Sequence, residues 1–299
     1  MKNCFITALC LLLVICWQPS AFAKNDSSTL IHAVSVQGDG QDVILIPGLM
    51  SDARVWQQTA DLLATRYRVH TLNIAGFGEQ PAARQLRQEF MRPLVAAISD
   101  YLNTQTSHAI IVGHSLGATL GYQLIIEHPD VGQCLVSVDG VPFVSALLMN
   151  NSDLDVAQVE PQAAYLRQQF QQFSAQQLRQ QTQFGVARQA ADNAHQAMIL
   201  NMAEQSDAAT VGQAMYELMT TDLRKKLKSS KVPILQLAAI AAITDDAEQQ
   251  QALQQYRQQL PPRSSIELKA INARHFIMLE QPQTLFDNIQ RFAKEHCHE

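Results

Sequence analysis

The sequence predicts an α/β protein with a mostly parallel central sheet and helices on both faces, and two observations support this. Short apolar runs alternate with longer segments of helical periodicity along most of the chain. Turn sequences rich in glycine or proline follow several of the runs. This alternation is typical of units in which a helix connects two parallel strands. We therefore expect ligands to bind beyond the carboxyl ends of the strands.

Each strand candidate is a short apolar run, and each helix candidate carries apolar residues three or four positions apart. The last helix shows this spacing in Leu285, Ile289 and Phe292. The sequence predicts strands at 42–46, 67–74, 109–112, 134–138, 232–237 and 265–271, and helices at 90–102, 116–127, 247–260 and 283–294.

Residues 143–230 interrupt the alternation, because they contain no strand candidate and are rich in glutamine and alanine. Glutamine runs are common in disordered segments. However, Leu166, Phe170 and Phe173 recur at helical spacing, which favours packed helices. We therefore divide the chain into a core, residues 24–142 and 231–299, and a helical cap insertion, residues 143–230, that folds over the strand ends.

Residues 1–23 have the features of a secretory signal peptide. Lys2 is followed by an apolar stretch and by Ala21-Phe22-Ala23, a small-residue cleavage pattern. The apolar stretch is short for a membrane-spanning helix, and an uncleaved anchor is the alternative. We expect cleavage after Ala23, a periplasmic or secreted location, and no membrane span in the mature chain.

Charge and cysteine content restrict the partners and cofactors. The formal net charge is −5 and the basic residues form no stripe, which argues against nucleic acid as a partner. Cys134 and Cys297 lie outside the predicted signal peptide, and they either pair in an oxidising compartment or remain two free thiols. The run at 296–299 contains His and Cys but lacks a partner cluster, so we expect a solvated tail, no metal site and no organic cofactor.

The segment Gly113-His114-Ser115-Leu116-Gly117 lies between a predicted strand and a predicted helix. This spacing is typical of a sharp turn that exposes a serine hydroxyl, and small residues on either side relieve the crowding. A nucleophilic serine requires a base, a group that orients the base, and donors for the oxyanion. We therefore predict that Ser115 is the nucleophile.

The candidate base is His275, on the loop that follows the last predicted strand. Two aspartates keep the chain order serine, aspartate, histidine. Asp139 lies in a tight turn that would fix its carboxylate near the site, although capping that turn is an alternative role. Asp245 precedes a predicted helix, where it has the alternative role of an N-cap.

An oxyanion site requires two backbone N–H groups that point to one position. Leu116 would provide one of them, directly after Ser115, and Leu49 the other, in the turn after the first predicted strand, with Met50 next in line. Gly48 allows the backbone to approach closely. The side chains of Leu49 and Leu116 would line the entrance.

Together these segments resemble the α/β-hydrolases. The matching segments are Ile46-Pro47-Gly48-Leu49, Asn73-Ile74-Ala75-Gly76-Phe77-Gly78, Gly113-His114-Ser115-Leu116-Gly117 and Arg274-His275-Phe276. The resemblance implies the α/β-hydrolase fold and a Ser-His-acid hydrolase with an acyl-enzyme intermediate. Residues 238–245 depart from the usual Gly-x-x-Asp acid loop, and the chain resembles a bacterial subgroup with Val-Asp-Gly/Ser-x-Pro after the nucleophile helix. The resemblance therefore favours Asp139 over Asp245.

Serine at position 115 separates the chain from haloalkane dehalogenases and epoxide hydrolases, which use an aspartate there. The resemblance implies cleavage of a small, mostly uncharged ester or related acyl substrate. Carbon–carbon bond hydrolases and perhydrolases use the same triad and are alternatives. A non-catalytic binding protein of this fold is a third hypothesis, because fold alone does not determine function.

Overall fold

The computed structural model describes residues 30–297, which form seven strands in one sheet. The strands are β1 (Ile31–Gln37), β2 (Gln41–Ile46), β3 (Tyr67–Ile74), β4 (Ala109–His114), β5 (Gly132–Val138), β6 (Ile234–Ala239) and β7 (Ile266–Ile271). Their order is β1-β3-β2-β4-β5-β6-β7. Only β1 is antiparallel to its neighbour, so the predicted mostly parallel sheet is confirmed.

Thirteen α-helices lie within the described residues, together with two short 3-10 helices at Ala53–Trp56 and Arg84–Arg87. The α-helices are α1 (Gln57–Leu63), α2 (Met91–Gln105), α3 (Leu116–Glu127), α4 (Val144–Leu148), α5 (Val156–Gln171), α6 (Ala175–Gln183), α7 (Val186–Gln189), α8 (Asn193–Gln205), α9 (Ala208–Thr220), α10 (Arg224–Leu227), α11 (Asp246–Gln258), α12 (Ile277–Glu280) and α13 (Pro282–His296).

The sheet separates two apolar clusters, because successive residues of a strand point to opposite faces. In β2, Ile44 belongs to the cluster that contains α2 and α3. Its neighbour Leu45 belongs to the cluster that contains α1 and α13. Strands buried on both faces give continuous apolar runs, and this is why the sequence predicts them well.

The segment between β5 and β6 is helical from α4 to α10, which confirms the predicted helical insertion. Two of its helices begin with a reciprocal capping box, in which a glutamine side chain accepts a hydrogen bond from the N-cap backbone. Phe170 and Leu178 are buried in the cluster that also contains α2 and α3. The glutamine-rich segment therefore packs on the core instead of remaining disordered.

Two features differ from the sequence-based expectations. Strand β1 was not predicted, because it pairs only at the edge of the sheet, where pairing depends on tertiary contacts. The expected solvated tail is wrong for His296 and Cys297. Cys297 is buried and forms a disulfide with Cys134, and the His296 Nε2 atom lies 3.0 Å from the Glu267 carboxylate.

The predicted signal peptide, residues 1–23, lies outside the described residues. Between residues 30 and 297, every helix is too short or too polar to cross a lipid bilayer. The disulfide joins β5 to the residue that follows α13, across 163 positions of sequence.

Reduction of this disulfide is expected to destabilise the protein by about 2–5 kcal/mol, since a cross-link over a long loop restricts the unfolded chain. Urea unfolding with and without dithiothreitol measures the difference. The double variant Cys134→Ala/Cys297→Ala is the control and should not respond to the reductant. Equal unfolding midpoints for the reduced and oxidised wild type would contradict the expectation.

Candidate active site

Ser115 lies between β4 and α3 with a left-handed backbone, at φ 52° and ψ −117°. Residues other than glycine seldom adopt positive φ, so the surroundings must hold this conformation. The Ser115 N–H donates to the Val138 carbonyl at 3.0 Å. A Cβ atom on Gly113 would overlap the Gly117 backbone, and one on Gly117 would lie 2.6 Å from the Pro47 carbonyl oxygen. The turn therefore requires both glycines.

The structure brings Asp139 and His275 together. The His275 Nδ1 atom lies 2.6 Å from Oδ2 of Asp139. The other carboxylate oxygen, Oδ1, accepts hydrogen bonds from the Ala239 N–H at 2.8 Å and from the Tyr256 hydroxyl at 2.7 Å. The Asp139 side chain is 9% exposed. Its carboxylate is thus held by three contacts in a largely buried position.

Asp245 occupies a different environment. It is exposed at the start of α11, where its Oδ1 atom accepts the Glu248 N–H at 2.9 Å. Within residues 30–297 it has no hydrogen bond to His275. A side chain in this geometry acts as a helix N-cap. The hydrogen bond to His275 is therefore made by the carboxylate of Asp139.

Ser115 lies close to these two residues, although within the described residues no hydrogen bond joins its hydroxyl to the His275 ring. The Val138 carbonyl that receives the Ser115 N–H directly precedes Asp139. A Cβ atom on Gly140 would lie 2.6 Å from the Ser115 carbonyl oxygen. Catalytic hydrogen bonds are often long before a substrate binds. The three side chains therefore lie together at the carboxyl ends of the strands.

The predicted oxyanion donors lie on the same side of the sheet. A Cβ atom on Gly48 would approach Cβ of Ser115 to 3.2 Å, so the turn that carries Leu49 passes beside the serine. Met50 has a positive φ of 55°, and the Ser51 N–H closes the turn on the Gly48 carbonyl at 3.2 Å. In the described part of the chain, the N–H groups of Leu49 and Leu116 have no hydrogen-bond acceptor. Both amides are thus free to bind an oxygen atom.

The His114 ring packs against the ring of His275. Their ring centres are 4.5 Å apart, and the His114 Nε2 atom lies 3.1 Å from the His275 carbonyl oxygen. Burial, with the His275 imidazole as a second cause, lowers the pKa of His114 well below its usual value. The neutral ring therefore donates Nε2–H to this carbonyl, which leaves Nδ1 buried without a partner. His114 supports the loop that carries His275.

The chain matches the model of a known protein family over most of its length. The model of the Alpha/beta hydrolase family matches residues 43–288. The chain belongs to the α/β-hydrolase family. The resemblance inferred from the sequence motifs is therefore confirmed.

Individual relatives of this α/β-hydrolase are distant. A pimeloyl-(acyl-carrier protein) methyl ester esterase of Aeromonas hydrophila is 33% identical over 116 residues, which are 38% of this chain and 44% of that esterase. The chain thus spans less than half the length of the curated relatives it matches.

Solved structures agree with the fold. A thermophilic esterase from Thermogutta terrifontis gives a TM-score of 0.69 at 17% identity and covers 89% of this chain and 94% of its own. The enol-lactonase from Burkholderia xenovorans LB400 gives 0.66 at 15% identity, with 88% and 96% covered. At such identities the likeness extends to the fold alone.

The cap of this α/β-hydrolase holds the loop that carries the candidate base. The Phe276 N–H donates to the Gln189 carbonyl of α7 at 3.0 Å. The Arg274 guanidinium donates to the carbonyls of Ala187 and Ala190, at 2.6 and 3.1 Å. Both residues beside His275 are therefore fixed by the insertion.

The Gly76-Phe77-Gly78 turn forms hydrogen bonds with the helical cap insertion. The Gly78 N–H donates to the Ser206 hydroxyl at 2.9 Å, and the Gly76 carbonyl accepts the Asp207 N–H at 2.8 Å. Both glycines have positive φ, at 85° and 55°. The motif that contributes to the family resemblance therefore anchors the connection between α8 and α9.

One group of side chains in the described residues has the spacing of metal ligands. It consists of Glu267, Glu295 and His296, near the carboxyl end of α13. The Arg291 guanidinium pairs with both carboxylates at 2.6 Å. Because Arg291 already pairs with both carboxylates, this group acts as an ion-pair cluster.

The sequence motifs do not predict the contacts of Tyr256 and Ala239 with the candidate acid, or that of His114 with the candidate base. Tyr256 is the only aromatic residue of α11, in a helix rich in glutamine. A single aromatic residue in a polar helix is a signal that could have drawn attention to it, because it must pack against something. The Ala239 contact is made by the backbone and has no sequence signal.

His114 is expected to make stability depend on pH. Its pKa is lowered in the folded state, whereas the unfolded chain has the usual value of about 6.5, so the unfolded state binds more protons below that pH. Stability should therefore fall as the pH drops below about 6.5, by up to about 1.4 kcal/mol per pH unit from this residue. His114→Gln keeps an N–H donor but does not titrate.

Urea unfolding at pH 7.5 and pH 5.5 measures this effect. The loss of stability at the lower pH should be smaller in His114→Gln than in the wild type by about 1 kcal/mol. His128→Gln, at the end of α3, is the matched control and should behave as the wild type does. An unchanged loss in His114→Gln would refute the assignment.

Proposed function

We propose that the chain is a serine hydrolase with Ser115 as nucleophile, His275 as base and Asp139 as the acid that orients it. The observation that carries the proposal is the 2.6 Å hydrogen bond between His275 and Asp139, beside a serine in a left-handed strand-to-helix turn. Left-handed, strained residues concentrate at functional sites. The family membership supports hydrolase chemistry.

In the proposed reaction the Ser115 oxygen attacks the substrate carbonyl while His275 Nε2 takes the serine proton. The N–H groups of Leu49 and Leu116 bind the resulting oxyanion. Collapse of the tetrahedral intermediate breaks the ester bond, and His275 returns the proton to the leaving alcohol. Water then attacks the acyl-enzyme by the same steps and releases the carboxylic acid. Asp139 Oδ2 stabilises the imidazolium that forms in both halves.

The proposed substrate is a small, mostly uncharged ester. Partly buried apolar side chains from three segments pack against the cluster that includes Leu116: Leu49 and Met50, Val144 of α4, and Met215 of α9. Of these, Leu49 and Met50 belong to the turn that passes beside Ser115, and apolar side chains there favour an apolar acyl chain. The related protein of Aeromonas hydrophila is a methyl ester esterase, which supports an ester as the reacting group.

We also propose that the mature protein functions in the periplasm or outside the cell. The disulfide between Cys134 and Cys297 supports this, because such bonds persist in oxidising compartments. Expression of the full chain in an export-competent bacterium, followed by mass spectrometry of the purified protein, tests the proposal. The expected amino terminus is Lys24. A protein that retains residues 1–23 would overturn the cleavage, and recovery of the protein in the cytoplasmic fraction would overturn the location.

A fluorophosphonate probe is expected to label the wild-type protein once, at Ser115, and to leave Ser115→Ala unlabelled. The activated serine oxygen attacks phosphorus and displaces fluoride, whereas alanine has no nucleophile. Intact-protein mass spectrometry and hydrolysis of p-nitrophenyl esters of increasing chain length provide the readouts. Folded wild type that neither reacts with the probe nor hydrolyses any ester would exclude the function.

The two aspartates provide a matched comparison. Asp139→Asn should lower kcat about a thousandfold to ten thousandfold, because an amide cannot hold the His275 tautomer that accepts the serine proton. Asp245→Asn should leave kcat within about twofold, since asparagine caps a helix as well as aspartate does. Ester hydrolysis under identical conditions measures both. A large loss in Asp245→Asn alone would assign the acid to the other loop.

A further inference from the structure

Tyr256 has a position that no other residue of its helix shares. It is the only buried residue of α11, at 6% exposure, and its ring packs with Val141 and Ala238. Its hydroxyl lies 2.7 Å from Oδ1 of Asp139, across 117 positions of sequence. The other residues of α11 are mostly polar, and all of them are partly or fully exposed. One aromatic side chain therefore connects this helix to the acid of the site.

The direction of this hydrogen bond follows from the surroundings. Burial and the neighbouring Asp139 charge raise the pKa of the Tyr256 hydroxyl well above its usual value. The hydroxyl therefore stays protonated and donates its proton to Oδ1. The Ala239 N–H donates to the same oxygen at 2.8 Å, while Oδ2 faces His275. The two carboxylate oxygens thus have separate partners.

Two donors on one oxygen have two physical effects. They fix the rotation of the carboxylate about its Cβ–Cγ bond, so that Oδ2 remains directed to Nδ1 of His275. They also draw negative charge toward Oδ1, and this weakens the attraction of Oδ2 for an imidazolium. Without the hydroxyl, the charge on Oδ2 increases and the protonated form of His275 gains stability.

We propose that Tyr256 is a positioning residue for catalysis, which acts through Asp139 to set the orientation and basicity of His275. The proposal rests on the proposed serine-hydrolase function. In this proposal α11 contributes to catalysis through Tyr256. Asp245, at the start of the same helix, acts only as its N-cap. Tyr256 itself touches neither the substrate nor the reacting atoms.

The test compares Tyr256→Phe with Tyr122→Phe. Tyr122 is also buried, but its hydroxyl donates to Gln236 Oε1 at 2.7 Å and not to Asp139. Each variant removes one buried hydroxyl and keeps the ring. We expect Tyr256→Phe to lower kcat about tenfold with little change in KM, as for the loss of a hydrogen bond to a charged group. We expect the acidic limb of its kcat/KM profile to move to higher pH by about half a unit or more.

Tyr122→Phe should leave the acidic limb where it is in the wild type. In an Asp139→Asn background, Tyr256→Phe should lower kcat by less than it does alone, because its effect passes through the carboxylate. Equal losses in the two tyrosine variants, with unmoved acidic limbs, would overturn the proposal and leave Tyr256 a purely structural role.

A measurement without turnover separates this proposal from the proposed function. Proton NMR follows the His275 ring signal, assigned with His275→Gln, as the pH changes. A titration midpoint that is higher in Tyr256→Phe than in the wild type and Tyr122→Phe supports the role of Tyr256, even if no ester is hydrolysed. An unmoved midpoint in a protein that does hydrolyse esters contradicts the role of Tyr256 alone.

Discussion

The left-handed backbone at Ser115 is the constraint on which the rest of the site depends. A residue in such a conformation costs of the order of 1–3 kcal/mol, and it persists only where the neighbouring structure fixes it. Here β4 lies between β2 and β5, and the Ser115 N–H is bound to the Val138 carbonyl of β5. The central position of β4 in the sheet thus determines the position of Ser115. The other groups of the site follow the carboxyl ends of β2, β5 and β7.

Asp139 is placed by the same ladder of hydrogen bonds that builds the sheet. Its N–H donates to the Leu237 carbonyl, as expected for parallel β5 and β6. Where β5 ends, the Oδ1 atom of Asp139 accepts the Ala239 N–H, in the place of a further backbone carbonyl. One carboxylate oxygen therefore continues the hydrogen bonding between β5 and β6, and the other faces His275. This explains how a residue at φ 51° has a fixed side chain.

The sequence predicts the central strands and the elbow because these features follow from local rules. Strand β4 is buried along its whole length, and its first four residues form an unbroken apolar run. The spacing of Gly113 and Gly117 is required because a Cβ atom at either position would clash with the backbone of the turn. The edge strand β1 follows no such rule. From the residue pattern alone, Asp139 and Asp245 both follow strands. Only the tertiary structure separates them, because it places the Asp139 carboxylate against His275 and leaves Asp245 at the start of α11. Tyr256 has its role through a contact that no local pattern specifies.

The hydrogen bonds between α7 and the loop around His275 have a consequence for how this architecture can change in evolution. Gln189, Ala187 and Ala190 belong to the insertion, yet they hold Phe276 and Arg274 of the core. An exchange of the insertion for that of a distant relative would remove these acceptors and release the histidine loop. Substitutions within the existing insertion, by contrast, can leave these backbone acceptors in place.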